Sequence, residues 1–293
     1  MKRVAAIDIG TNSTRLLVAE YTAEGLKRIE KALLTTRLGK GMAGGLLLPE
    51  TMLSTADAVG LFNQKAINLG AESVVAAATS AVRDASNKME FLELVKARTG
   101  LNVRVLSGEE EAALSYQGVL SGLQVEPGST VVVDIGGGST EFIWMQGERL
   151  NLVSVNAGAV RLTGAGADET ETCRLLKPTL EEVKRSSFGC LVGVGGTVTT
   201  MAAIDQQLAV YDPKRVHGYS LSAVSVNRIL KMLNSMDIEE RRKVPGLRPE
   251  RADIIIAGVN IVKAIMDGLG LAGMIVSECD ILYGLALAEV NLF

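Results

Sequence analysis

One stretch of this chain occurs twice, and the repeat narrows the possible folds more than any other feature. Val4-Ala5-Ala6-Ile7 runs into Asp8-Ile9-Gly10-Thr11-Asn12-Ser13-Thr14-Arg15-Leu16-Leu17. Val131-Val132-Val133 runs into Asp134-Ile135-Gly136-Gly137-Gly138-Ser139-Thr140-Glu141-Phe142-Ile143. The two blocks agree at five of ten positions. Each reads as an apolar strand, an Asp at its end, a Gly/Ser/Thr turn and a second apolar strand, which predicts two β-hairpins. Glycine lets the backbone approach a ligand closely, and Ser and Thr add hydroxyl donors. Concave arrays of backbone N–H groups bind phosphate oxygens, and a strand-end Asp suits a Mg²⁺ or its waters. One such hairpin is an ordinary tight turn. Two matching copies, each with its Asp, point to paired phosphate loops.

The remaining sequence alternates between strand and helix patterns. A third strand is expected over 26–38 and a helix over 49–69, opened by Pro49. A short buried strand is expected at 73–78, and Asn87-Lys88-Met89-Glu90 has the pattern of an N-cap for a helix to 98. A strand follows at 102–106. Ser107-Gly108-Glu109-Glu110 then has the spacing of a capping box for a helix to 121. Residues 124–129, with Pro127 and Gly128, read as a linker. Beyond the second hairpin the pattern gives a strand at 150–155 and a helix capped by Thr179-Leu180-Glu181-Glu182. A strand at 190–194 then runs into Gly195-Gly196-Thr197 and a helix. Helices follow at 222–234 and 250–267, a strand at 274–276 and a closing helix at 281–290. The expected architecture is α/β. Two similar domains, 1–124 (completed by a C-terminal helix, 280–293) and 125–279, flank a central cleft with one phosphate loop on each side.

Composition removes other classes. Of 293 residues, 47% are apolar and 22% charged, which is globular rather than disordered. A net charge of −3 does not favour nucleic acid or an anionic membrane as partner. No apolar run approaches the roughly 18–20 residues that span a bilayer. Asp8 interrupts the first apolar run too early for a signal peptide. Three scattered cysteines (Cys173, Cys190, Cys279) and a single histidine, His217, argue against a zinc site and a disulfide framework. A reduced, cytoplasmic protein is expected, and any metal must be a hard cation held by oxygens.

Six motifs then occur in order: Asp8-Ile9-Gly10-Thr11-Asn12-Ser13, Thr79-Ser80-Ala81-Val82-Arg83-Asp84-Ala85, Ser107-Gly108-Glu109-Glu110-Glu111-Ala112, Asp134 to Glu141, Gly193-Val194-Gly195-Gly196-Thr197, and Val216-His217-Gly218. Over essentially its whole length the chain resembles the exopolyphosphatase / guanosine pentaphosphate phosphohydrolase (Ppx/GppA) family, in its short two-domain form. That resemblance implies the actin, Hsp70 and sugar-kinase superfold, related to ribonuclease H. It implies that Asp8 and Asp134 associate with Mg²⁺ (or Mn²⁺), with a monovalent cation as a further possibility. Gly10, Thr11, Asn12 and Ser13 resemble one phosphate loop, and Gly136, Gly137, Gly138, Ser139 and Thr140 the other. Glu111 matches the glutamate that activates water, and Glu141 a second active-site acid. Arg83 resembles a phosphate contact. Gly195, Gly196 and Thr197 look like the loop that holds adenosine in the kinases. The resemblance further implies a homodimer. Asp280-Ile281-Leu282-Tyr283-Gly284 lacks an arginine common in the family at that place, and the chain has no extra C-terminal helical domains. Both features favour short polyphosphate chains.

The groups themselves support hydrolysis. A phosphoanhydride is densely negative and must be neutralised before water attacks, which N–H groups, hydroxyls, Arg83 and Mg²⁺ together supply. If Ser107 caps its helix, Glu110 folds back on it and Glu111 is left to point elsewhere. Glu109 and Glu110 read as helix N-terminal electrostatics. For His217 a structural hydrogen bond and a substrate contact remain open, as do a site role and a solvated surface for Arg161. The alternatives are guanosine pentaphosphate hydrolysis, a phosphotransferase or kinase of the same superfold, and a nucleotide-driven switch of the actin or Hsp70 type.

Overall fold

A computed structural model describes residues 2–23 and 25–291. The outer limits of the expected domains, residues 1 and 293, lie outside them. The chain divides into two compact units, Met1–Ser121 with Asp280–Phe293, and Gly122–Cys279.

The first unit is built on β1 (Lys2–Ile9), β2 (Thr14–Thr22), β3 (Gly25–Leu34), β4 (Ser73–Ala78) and β5 (Val103–Val105), in the order β3-β2-β1-β4-β5. β1 pairs antiparallel with β2 and parallel with β4. As the central strand it is covered on both faces, so Val4, Ala5, Ala6, Ile7 and Ile9 are all fully buried and its sequence reads as a continuous apolar run. β3 lies at the edge and carries Lys27, Arg28, Glu30 and Lys31, charges that discourage edge-to-edge pairing. It ends at Leu34 rather than 38, because residues 36–40 turn back onto the β1–β2 turn. The helices are α1 (Pro49–Asn68), α2 (Ser80–Asp84), α3 (Lys88–Thr99) and α4 (Gly108–Gly122), closed by α12 (Ile281–Asn291). Asn87 does not cap α3: its side chain bonds the backbone of Leu47 in both directions. α12 packs on β1 and β2 and crosses α4 at very short range. A Cβ on Gly118 would lie 2.0 Å from the Asp280 carbonyl, and one on Gly284 2.0 Å from that of Leu114. Glycine at both positions is what lets the two backbones touch.

The second unit holds β6 (Thr130–Ile135), β7 (Thr140–Gln146), β8 (Arg149–Val155), β9 (Cys190–Val194), β10 (Ser220–Ser222) and β11 (Gly273–Val276), ordered β10-β11-β9-β6-β7-β8. Its helices are α5 (Ala159–Ala165), α6 (Glu169–Lys184), α7 (Gly196–Asp205), α8 (Pro213–Val216), α9 (Ala223–Asn234), α10 (Ile238–Arg241) and α11 (Ile255–Leu269). The expected cap at Thr179 is wrong. The cap lies eleven residues earlier, where the Asp168 side chain accepts from the Glu171 N–H at 2.8 Å, and Thr179 is an interior residue following Pro178. The buried stripe Thr172, Leu176, Leu180 and Val183 explains why the helix runs through that proline. α11 likewise begins at Ile255 rather than 250, after a 3₁₀ turn at Pro249–Arg251.

The sequence repeat is a structural repeat. β1-β2-β3 and β6-β7-β8 are both antiparallel meanders, and a parallel strand (β4 or β9) flanks the first strand of each. Ile9 pairs with Thr14 and Ile135 with Thr140; Asp8 faces Arg15 and Asp134 faces Glu141.

Candidate active site

In the first unit, Gly10, Thr11, Asn12 and Ser13 form the turn between β1 and β2, closed by Gly10 N–H donating to Ser13 O at 3.0 Å. The Thr11 and Ser80 hydroxyls are 2.8 Å apart, which ties this turn to the start of α2. α2 carries Arg83, whose Nη1 donates to Glu111 Oε2 at 2.8 Å and to the Leu106 carbonyl at 3.1 Å. Glu111 sits in the first turn of α4, where the capping box forms. Ser107 N–H donates to Glu110 Oε2 at 2.9 Å, and Glu110 N–H to Ser107 Oγ at 3.1 Å. Glu110 is thereby committed to the helix end and Glu111 turns to Arg83. The turn, the arginine and the glutamate are thus linked through side-chain contacts within one unit.

Asp8, at the end of β1, is 3% exposed. Its Oδ2 accepts from Arg15 Nε at 2.8 Å and Nη2 at 2.6 Å, and Arg15 also pairs with the buried Asp280. Neither Arg15 nor Asp280 was among the residues expected from sequence. The only available signal was the mirror spacing of Asp8 and Arg15 about a four-residue turn. One guanidinium shared by two carboxylates settles them differently. Burial pushes the Asp8 carboxyl above the usual carboxylate range, and Arg15 only partly offsets it. Asp280 bears the same burial, but Arg15, Lys31 and the Leu282 N–H together hold it below that range.

In the second unit, Gly136, Gly137, Gly138 and Ser139 form the equivalent turn, again closed at 3.0 Å by Gly136 N–H on Ser139 O. Thr140 is the first residue of β7, and its buried hydroxyl donates to the Ala157 carbonyl at 2.5 Å. Asp134 is 9% and Glu141 2% exposed, and they are direct cross-strand partners. Glu141 Oε1 accepts from the Ser154 hydroxyl at 2.8 Å. Gly195, in a backbone conformation (φ +91°, ψ 170°) open to glycine, leads into α7, with Gly196 and Thr197 as its first residues. The Arg251 guanidinium lies against Gly196, where a Cβ would meet Nη1 at 1.7 Å; this neighbour was also not expected. His217 accepts from the Glu278 N–H at Nδ1 (3.1 Å), so Nε2 carries the proton given to the Gly122 carbonyl at 2.9 Å. Both ring nitrogens serve the main chain.

Each unit, taken by itself, has an oxygen donor for a divalent ion. In the first, Asp8 Oδ1 is buried and has no hydrogen-bond partner; in the second, the Asp134–Glu141 pair concentrates two carboxylates. Among the described residues no three His, Cys, Asp or Glu side chains form a metal cage. One or two carboxylates are what a Mg²⁺ takes from protein, the rest of its ligands being water and substrate phosphates.

A sequence profile of the Ppx/GppA phosphatase family matches residues 17–291. Exopolyphosphatase 2 of Mycobacterium tuberculosis is 34% identical over 98% of both chains. A bifunctional 3-dehydroquinate synthase/phosphatase of Fusobacterium nucleatum is 33% identical over 98% of this chain, which spans 46% of that relative's length. The crystal structure of the Aquifex aeolicus Ppx/GppA family member is 32% identical over 99% of this chain and 98% of its own, with a TM-score of 0.83. An exopolyphosphatase from Cytophaga hutchinsonii shares the fold, with a TM-score of 0.90 at 24% identity over 99% and 98% of the two chains.

Proposed function

The chain belongs to the Ppx/GppA phosphatase family, and from that premise we propose that it hydrolyses the terminal phosphoanhydride bonds of inorganic polyphosphate, releasing orthophosphate. The observation that carries this reading is the linked set in the first unit: Thr11 bonded to Ser80, and Arg83 on the same short helix bonded to Glu111. The N–H groups of the Gly10–Ser13 and Gly136–Ser139 turns take phosphoryl oxygens, and the Arg83 guanidinium offsets the charge that develops as the terminal bond breaks. Glu111, fixed by Arg83, orients a water in line with the terminal phosphorus and takes its proton. Asp8 in its unit and Asp134 in its own are the carboxylates that would meet Mg²⁺, whose chemistry is to neutralise phosphate oxygens. Glu141, directly across the ladder from Asp134, serves as a second acid. Gly195, Gly196 and Thr197 form a further anion-facing turn, with Arg251 beside it.

Glu111→Gln is expected to lower phosphate release from short polyphosphate by about 100-fold or more while tripolyphosphate still binds. Turnover at the parent rate would refute the role. Chelation of Mg²⁺ by EDTA should abolish activity, and full activity in EDTA would overturn the metal assignment.

Guanosine pentaphosphate is the second reading, because the family name covers that activity too. A phosphate-release panel of short polyphosphate, long polyphosphate, guanosine pentaphosphate and ATP decides between them. We further propose a homodimer, read by sedimentation, and a cytoplasmic location, in keeping with Cys173, Cys190 and Cys279 all being free thiols. No helix among the described residues is long and apolar enough to cross a membrane.

A further inference from the structure

Each phosphate turn is held from behind by the segment that follows the third strand of its meander. In the first unit, Arg37 N–H donates to Asn12 O and Gly39 N–H to Thr11 O, both at 2.9 Å. In the second unit, Ala159 N–H donates to Gly136 O at 3.0 Å, and the Val160 and Arg161 N–H groups to Gly137 O at 2.9 and 3.0 Å. The fit is tight: a Cβ on Gly39 would lie 2.3 Å from Thr11 Cγ2, and one on Gly158 2.4 Å from the Gly137 carbonyl.

These straps decide which way the turn peptides face. A trans peptide points its C=O and N–H in opposite directions. When the straps bind the carbonyls of Thr11 and Asn12, the N–H groups of Asn12 and Ser13 face the other way. When they bind Gly136, Gly137 and Gly138, the N–H groups of Gly137, Gly138 and Ser139 do the same. An anion needs that face, because carbonyl oxygens would repel it.

In the first strap main-chain donors meet the Thr11 and Asn12 carbonyls, and Arg37 adopts a left-handed conformation (φ +50°), uncommon outside glycine, to deliver its N–H. In the second, the third carbonyl is met by a side chain: Arg161 Nε donates to Gly138 O at 2.6 Å, while its own N–H holds Gly137 O. The short, charge-assisted bond falls on a glycine peptide, the kind with least resistance to flipping.

We propose that Arg161 is a positioning residue for substrate phosphate. By holding the Gly138 carbonyl it fixes the 138–139 peptide so that the Ser139 N–H faces the anion. The proposal rests on the phosphate-binding reading above and adds the device that keeps the second turn competent.

The test is equilibrium binding of inorganic tripolyphosphate by calorimetry, in the Glu111→Gln background so that nothing turns over. Added Arg161→Met, which keeps the length and removes the donor, should weaken binding about tenfold, the scale of one charge-assisted hydrogen bond. In amide NMR spectra the Gly138 and Ser139 signals, which shift on adding tripolyphosphate to the parent, should need correspondingly more ligand. Arg161→Lys retains a donor of similar reach and should bind at least threefold more tightly than Arg161→Met. Binding within twofold of the parent for Arg161→Met, or equal binding by the Lys and Met variants, overturns the proposal and leaves the functional reading standing. Failure of the parent itself to bind tripolyphosphate overturns both.

Discussion

The two hairpins share a backbone and differ in charge. Both close a four-residue turn with a 3.0 Å bond from the first residue to the last, and both place an Asp one pair before the turn. Opposite that Asp the first unit has Arg15 and the second has Glu141. In the first, a guanidinium spans Asp8 and Asp280 and makes the strand end an ion-paired cluster. In the second, two buried carboxylates share one rung of the sheet. The duplicated frame therefore sets the two turns in the same place, and the residue across the ladder decides whether the Asp meets a compensating cation or a second carboxylate.

Breaking the first hairpin should have the largest effect. Arg15→Leu leaves Asp8 and Asp280 buried without their shared cation, and stability should fall by about 3–5 kcal/mol, read from urea unfolding. A loss under 1 kcal/mol would show that the cluster does not depend on its arginine. The matching change in the second hairpin should act on rate instead. Glu141→Gln keeps the shape and can still accept from Ser154, so stability should stay within about 1 kcal/mol while phosphate release falls about tenfold or more. An unchanged rate with lowered stability would reverse the contrast between the two hairpins.

The smallest effect is on acid stability. Asp280, held below its ordinary range, contributes stability that is present above about pH 4 and lost as pH falls through its folded value. Asp8, raised by burial, contributes in the opposite sense: its share is complete below about pH 4 and disappears as pH rises through its folded value. Asp280→Asn should therefore flatten the fall of Tm below about pH 4, and Asp8→Asn should steepen the fall as pH drops from about 6 towards 4. Parallel curves for the two variants would contradict the assignment.

Much of this was legible in the sequence, because the hairpins depend on local signals: apolar runs, a turn of small residues and a fixed register. The capping box at Ser107 and Glu110 was legible for the same reason, and it correctly separated Glu110 from Glu111. What escaped were contacts set by distant packing. Arg15 meets Asp280 across most of the chain length, and Arg251 meets Gly196 through the turn before α11. The strap at 36–40 was hidden because Thr36 and Leu38 continue the strand pattern; only the fold shows Leu38 buried and Arg37 turned left-handed. The start of α6 was missed because Pro178-Thr179 imitates a helix beginning, while the apolar stripe that overrides it begins before the proline.

The crossing of α4 and α12 through Gly118 and Gly284 makes the second unit an insertion within the first. During synthesis the ribosome therefore releases nearly all of the first unit's sheet long before the helix that covers β1 and β2 exists. Residues 122–279 have every one of their own strands and helices available sooner after they emerge. The later part of the polypeptide can be finished while the earlier part still waits for its last eleven-residue helix, reversing the usual amino-to-carboxyl order of domain completion.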